Sequence, residues 1–144
     1  MTKDEIKQRY KETVIPESKT PYHFEQRSES HLEVLAYNPL CGDKFKLYLP
    51  PSNQLEDLHF HGMGCALSKA SGSMMIKALE DLDHKQAITF IKEFVACVEQ
   101  GVSPPELPAH LQVLVELKNF EGREDCITLT WKALLKYLET ESAS

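Results

Sequence analysis

The chain has 144 residues, 42% of them hydrophobic, which is enough for one domain with a true core. A net charge of −6 with no Lys/Arg run excludes nucleic-acid binding through an overall positive field. No stretch approaches the roughly 20 apolar residues that cross a bilayer, and Met1-Thr2-Lys3-Asp4-Glu5-Ile6 lacks the apolar centre of an export signal, so the expectation is a cytoplasmic protein with neither membrane nor nucleic acid as partner.

In chain order, Ile6, Tyr10 and Val14 mark a helix that Pro16 is expected to end, followed by a polar arm from Glu17 to Ser30. Leu32, Val34 and Ala36 alternate with polar neighbours. After the turn Asn38 to Asp43, Phe45, Leu47 and Leu49 do the same, which predicts a hairpin. Beyond Pro50-Pro51-Ser52-Asn53, Leu58 and Phe60 alternate with His59 and His61 on a third strand. A sheet with one apolar face needs helices over it. The segment from Cys65 to about Leu79 carries Ala66, Ala70 and Ser73 at helical spacing, small enough for close packing. Ala87, Ile91, Phe94 and Val98 predict a second helix stopped by Gly101. Leu111, Leu114, Val115 and Lys118 suggest a short third, and Ile127, Trp131, Leu134, Leu135 and Leu138 define the last, from about Glu124 to Leu138. The fold class is therefore α+β, a three-stranded antiparallel sheet with helices packed on one face. The expected organisation is a single domain over 1–144, with an N-terminal helix and arm in 1–30 and a core in 31–140.

In a reducing compartment, cysteines read as metal ligands, reactive groups or core filler before they read as disulfides. Cys41 lies in a turn where Gly42 gives Cys41 and Asp43 freedom to face one centre. Cys65 follows Gly64 at a helix start, and Cys126 follows Glu124-Asp125 at another, where amide donors and the helix dipole favour thiolate. Each of the three stands where a regular element begins or ends, so all could meet at one end of the domain and, with Asp43, form the corners of a site for a soft divalent cation. Such a site would be net negative and calls for a nearby cation such as Arg123 or Lys44. No CxxC pair is present, so spacing alone leaves a joint site and separate structural roles both open.

Other residues have plainer readings. Cys97, inside an apolar helical face, is core filler, and Met74 and Met75 are core as well. His59 and His61 could be a ligand pair but are expected to face solvent. Ser68, Ser71 and Ser73 serve helix packing, since no His is placed to activate a hydroxyl.

Three ordered motifs now matter together: Asn38-Pro39-x-Cys41-Gly42-Asp43, Phe60-x-Gly62-x-Gly64-Cys65-Ala66-x-Ser68-x-Ala70-Ser71, and Arg123-x-x-Cys126-x-x-Leu129-x-Trp131-x-Ala133-Leu134. Spread over residues 31–138, they resemble the U-type iron–sulfur cluster assembly proteins, the family of IscU, SufU and the N-terminal part of NifU. The chain lacks the Leu-Pro-Pro-Val-Lys segment of the IscU branch, has Asp125 where that branch has His, and is longer between Cys65 and Cys126, so it looks like the SufU branch. At Thr20-Pro21-Tyr22-His23-Phe24 it departs from the family's usual N-terminal segment.

The resemblance implies that Cys41, Asp43, Cys65 and Cys126 are zinc ligands, that Arg123 is a basic neighbour, and that a cysteine desulfurase of the SufS type is the partner. The implied activity is zinc-dependent sulfur transfer, with Cys41 accepting persulfide sulfur and passing it to a downstream iron–sulfur scaffold or apo-protein. The alternative is a scaffold that assembles and transfers a [2Fe-2S] cluster on the same side chains. A purely structural zinc is a third reading.

Overall fold

In the computed structural model, which describes residues 2–27, 31–101, 107–117 and 124–143, the alternating segments form three strands: β1 (Leu32–Asn38), β2 (Asp43–Leu49) and β3 (His59–Met63). The sheet order is β1-β2-β3, antiparallel throughout. Leu32 pairs with Leu49 and Asn38 with Asp43 across the first ladder, and Lys44 pairs with Met63 and Tyr48 with His59 across the second. Because side chains alternate with period two, this register puts Ala36, Phe45, Leu47, Leu49 and Phe60 on one buried face. Burial rises along β1 toward Asn38, so Leu32, expected inside, is left 47% exposed.

Helices α3 (Ala66–Leu79) and α6 (Glu124–Ala143) cover that face, and α4 (His84–Gln100) and α5 (Ala109–Glu116) pack against them. Small residues let α3 approach closely: a Cβ on Gly72 would stand 2.8 Å from the Phe60 ring. The expected stop of α4 at Gly101 holds, and a capping box between Asp83 and Gln86 begins the helix. Trp131 of α6 stacks on Phe94 with centroids 3.9 Å apart. Its indole N–H donates to Ser71 Oγ at 2.9 Å, and Ser71 donates in turn to the Ile127 carbonyl at 2.5 Å. That chain satisfies both polar groups in the core, so Ser71 has the packing role expected of it. Met74, Met75 and Cys97 are buried as anticipated. Lys118, expected on α5, lies outside the described residues.

The N-terminal segment differs from expectation. Helix α1 (Lys3–Arg9) passes through a π-helical turn (Tyr10–Val14) into α2 (Ile15–Lys19), so Pro16 does not end the helix. In the wider turn the Ile15 N–H reaches back to the Tyr10 carbonyl, and Pro16, with no N–H to place, sits where α2 begins. The following arm returns along β3, where the Phe60 N–H donates to the His23 carbonyl at 3.0 Å. Among the described residues no helix is long and apolar enough to cross a membrane.

Candidate metal and sulfur centre

The β1–β2 turn is tied by the Gly42 N–H on the Asn38 carbonyl at 2.8 Å and the Leu40 N–H on Asn38 Oδ1 at 3.1 Å. Gly42 takes a left-handed φ of +77°, which a side-chain-bearing residue adopts only at a cost. The turn leaves Cys41 exposed at its tip while Asp43, the first residue of β2, is 2% exposed. Cys65 caps the N-terminus of α3, its sulfur accepting the Ser68 N–H at 3.4 Å, with Ser68 Oγ at 3.2 Å. Cys126 is in the first turn of α6 and 3% exposed.

These groups converge. Ligand atoms of Cys41, Asp43 and Cys126 all lie within 4.8 Å of one another, and Cys126 Sγ is 4.0 Å from Cys41 Sγ. Asp43 joins the fourth member, accepting the Cys65 N–H at 2.9 Å through Oδ1 and lying 4.0 Å from Cys65 Sγ through Oδ2. Gly64 permits this approach, since a Cβ there would stand 2.9 Å from Asp43 Oδ1 and 2.5 Å from the Phe45 ring. All four positions read from the sequence therefore meet at one end of the sheet.

The electrostatics refine the expectation of two activated sulfurs. A hydrogen bond from the Cys126 thiol is the main force bringing the Cys65 thiol down to about 5, against the opposing effect of burial and with help from Ser68. The same bond, with burial, pushes Cys126 up, so the pair holds one proton between its two sulfurs. Two bare thiolates beside the Asp43 carboxylate would repel, and the shared proton relieves that. Among the described residues Asp43 forms no ion pair although it is buried. A partly buried cluster of acidic donors with no cation beside it among the described residues is suited to a soft or borderline dication.

Of the residues around the cluster and along β3, Lys44 and His59 fall differently from expectation. Lys44 alternates to the opposite face of β2 from Asp43, its ammonium 6.0 Å from the Tyr37 ring centroid, and so does not compensate the cluster. Arg123 lies outside the described residues. His59, expected to face solvent, is buried at 4% exposure because the N-terminal arm lies over it: His23 stacks on its ring at 4.3 Å and Arg27 reaches its Nε2 at 3.1 Å. His61 is half-buried, its ring 4.6 Å from Phe24. The sequence reading missed Ser68 as a partner of Cys65, although its place three residues after an N-cap is the spacing at which a helix amide meets the cap.

The family described as NifU-like N terminal domain matches residues 9–126. The chain belongs to that family. It is 30% identical to the zinc-dependent sulfurtransferase SufU of Bacillus subtilis (strain 168) over 92% of its length and 90% of that protein's. It is 32% identical to the iron–sulfur cluster assembly scaffold protein IscU of Streptococcus pyogenes serotype M1, over 87% of this chain and 79% of that one. A crystal structure described as an iron–sulfur cluster assembly scaffold protein for the SUF system, from Fervidobacterium islandicum AW-1, superposes with a TM-score of 0.82 at 25% identity, covering 91% of this chain and 97% of the other. The three-stranded α+β architecture is that of this SufU-type group within the family.

Proposed function

We propose that this NifU-like chain works in iron–sulfur cluster assembly as a zinc-dependent sulfurtransferase that takes persulfide sulfur from a cysteine desulfurase of the SufS type. Cys41, Asp43, Cys65 and Cys126 are the residues that would hold the zinc. The carrying observation is the convergence of three sulfurs and a buried carboxylate, with Cys65 and Cys126 sharing a proton and no cation beside Asp43 among the described residues. Bound zinc would keep the thiols deprotonated at neutral pH, replacing the proton that Cys126 now lends to Cys65.

Exposure sorts the three sulfurs. Cys65 is anchored by Ser68 and Cys126 is buried in α6, whereas Cys41 stands exposed on a turn and can meet a partner at little cost. Asp43 lies beside it as an oxygen donor among sulfurs, the most exchangeable of the four. The Cys41 thiolate attacks the outer sulfur of the desulfurase persulfide. The partner's S–S bond breaks, its cysteine leaves as thiolate, and Cys41 carries the persulfide to a downstream scaffold or apo-protein.

A second reading, assembly and transfer of a [2Fe-2S] cluster on the same side chains, is favoured by the IscU relative and by a donor set that serves iron as well as zinc. One experiment separates them: zinc-loaded protein is mixed with a cysteine desulfurase and cysteine, and peptides are weighed. One extra sulfur on Cys41 supports transfer; sulfur only on Cys97, or nowhere, overturns it. A chromophore that forms with ferrous iron and sulfide, and then moves to an apo-acceptor, supports the scaffold.

A further inference from the structure

At the opposite end of β3 from Cys65, His31, Asp57 and His59 bring two imidazoles and a carboxylate together, with ligand atoms all within 4.8 Å of one another. His31 Nε2 is 3.0 Å from Asp57 Oδ2, and His59 Nδ1 is 3.6 Å from Asp57 Oδ1. Ligands at about 2.0–2.2 Å from a common ion stand roughly 3–3.6 Å apart, so these spacings require little movement. The His31 and His59 side chains are 10% and 5% exposed while that of Asp57 is 49% exposed, which gives a firm base and an open side for water. The rings are also oriented: His23 lies parallel to His59 at 4.3 Å and is itself held by its Nδ1 on the Leu58 carbonyl at 2.8 Å.

We propose that His31, Asp57 and His59 form a second site, for a borderline divalent cation such as Zn²⁺ or Fe²⁺, and that Arg27 gates it. A guanidinium only donates hydrogen bonds. Arg27, 3.1 Å from His59 Nε2, therefore fixes the tautomer in which Nε2 accepts and Nδ1 carries the proton, donated to the Asp57 carbonyl at 2.8 Å. A cation taken at Nδ1 moves that proton to Nε2, where it confronts the Arg27 N–H donor to donor. Ion binding and the Arg27 contact therefore exclude one another. Arg27 is held loosely enough to turn away: among the described residues its nearest carboxylate is Glu25 at 3.9 Å and its buried Nε has no hydrogen-bond partner. Two neutral imidazoles and one carboxylate give a harder donor set than the sulfur cluster, so the two sites should prefer different ions.

The imidazole site is independent of sulfur transfer at the cysteine cluster and is tested apart from it. Full-length protein already carrying one equivalent of zinc is titrated with further Zn²⁺ by calorimetry, and His31→Ala, Asp57→Asn, Arg27→Ala and Cys41→Ala are compared, with circular dichroism to confirm folding. The expected result is a second equivalent that persists in Cys41→Ala and disappears in His31→Ala and in the half-exposed, shape-conserving Asp57→Asn. In Arg27→Ala it tightens about tenfold, because a facing positive charge has gone. No second equivalent at millimolar zinc, or one indifferent to His31→Ala and Asp57→Asn, overturns the site. An unchanged affinity in Arg27→Ala overturns the gate.

Discussion

At one end of β3 the Cys65 sulfur and the Asp43 carboxylate sit in a group of four acidic donors, of which Cys65 and Cys126 share a proton, and Asp43 meets no cation among the described residues. At the other end His59 has both ring nitrogens engaged, one on the Asp57 carbonyl and one on Arg27, while His31 is bonded to Asp57. Both are sets of ligating side chains, yet one is electrostatically incomplete alone and the other is already satisfied. A cation added to the first removes a repulsion, whereas a cation added to the second must displace existing bonds. Zinc should therefore be a large part of the stability of the sulfur end and only an optional guest at the imidazole end.

The contrast is broken most sharply by Cys41→Ala. Exposed and on a turn, this thiol should be removable with the stability of the metal-free protein changed by no more than about 0.5 kcal/mol, while sulfur uptake from a desulfurase, read by mass spectrometry, is lost. Asp43→Ala should likewise keep the fold, read by circular dichroism, and lose uptake. If Asp43→Ala or Cys41→Ala instead unfolds the protein, the zinc is a structural rivet rather than a working part. Stripping zinc from the wild type with a chelator comes next: if free metal stood at a thousand times its dissociation constant, folding loses about 4 kcal/mol, seen as a lower melting temperature. The same treatment of protein already lacking Cys65 should change little.

Gly64→Ala should cost about 1–3 kcal/mol in denaturant unfolding, since the new methyl meets the Phe45 ring and Asp43 together, and it should weaken zinc as well. The smallest effect concerns His110 of α5, an imidazole in neither cluster whose buried Nε2 has no hydrogen-bond partner among the described residues. Burial, and then the nearby Lys77 charge, hold its pKa below the usual 6.5, with Glu17 opposing. The unfolded chain thus takes up the proton first, and His110 makes stability fall as pH drops through about 6.5. His110→Gln should flatten that part of the melting-temperature profile.

Much of this was legible in the sequence because burial on one face imposes a period. Phe45, Leu47 and Leu49 reveal β2, and Ile127, Trp131, Leu134 and Leu138 reveal α6, whose polar extension past Leu138 left no apolar mark. The four groups of the sulfur cluster were legible too, since each lies at an element boundary flanked by turn or cap residues. Other features were not. Pro16 reads as a stop unless the preceding turn widens to take up the missing N–H, and nothing in the residues announces a π turn. His59 alternates as an outward residue and is buried only because His23, far away in sequence, is laid across it. Lys44 seemed a counter-charge by proximity in sequence, and strand alternation turned it away.

The hydrogen bond from Phe60 to the His23 carbonyl has one more consequence. β3 is the last strand on its side of the sheet, and an outermost strand with bare main-chain groups invites pairing with any extended polypeptide. Here the protein closes that margin with its own arm, fastened by the Tyr22 hydroxyl on Glu80 at 2.6 Å and the Tyr22 N–H on Ser73 at 2.7 Å. Whatever lifts residues 22–24 would turn a sealed border into a template for strand addition, so the arm determines whether the sheet ends with this chain or continues into another.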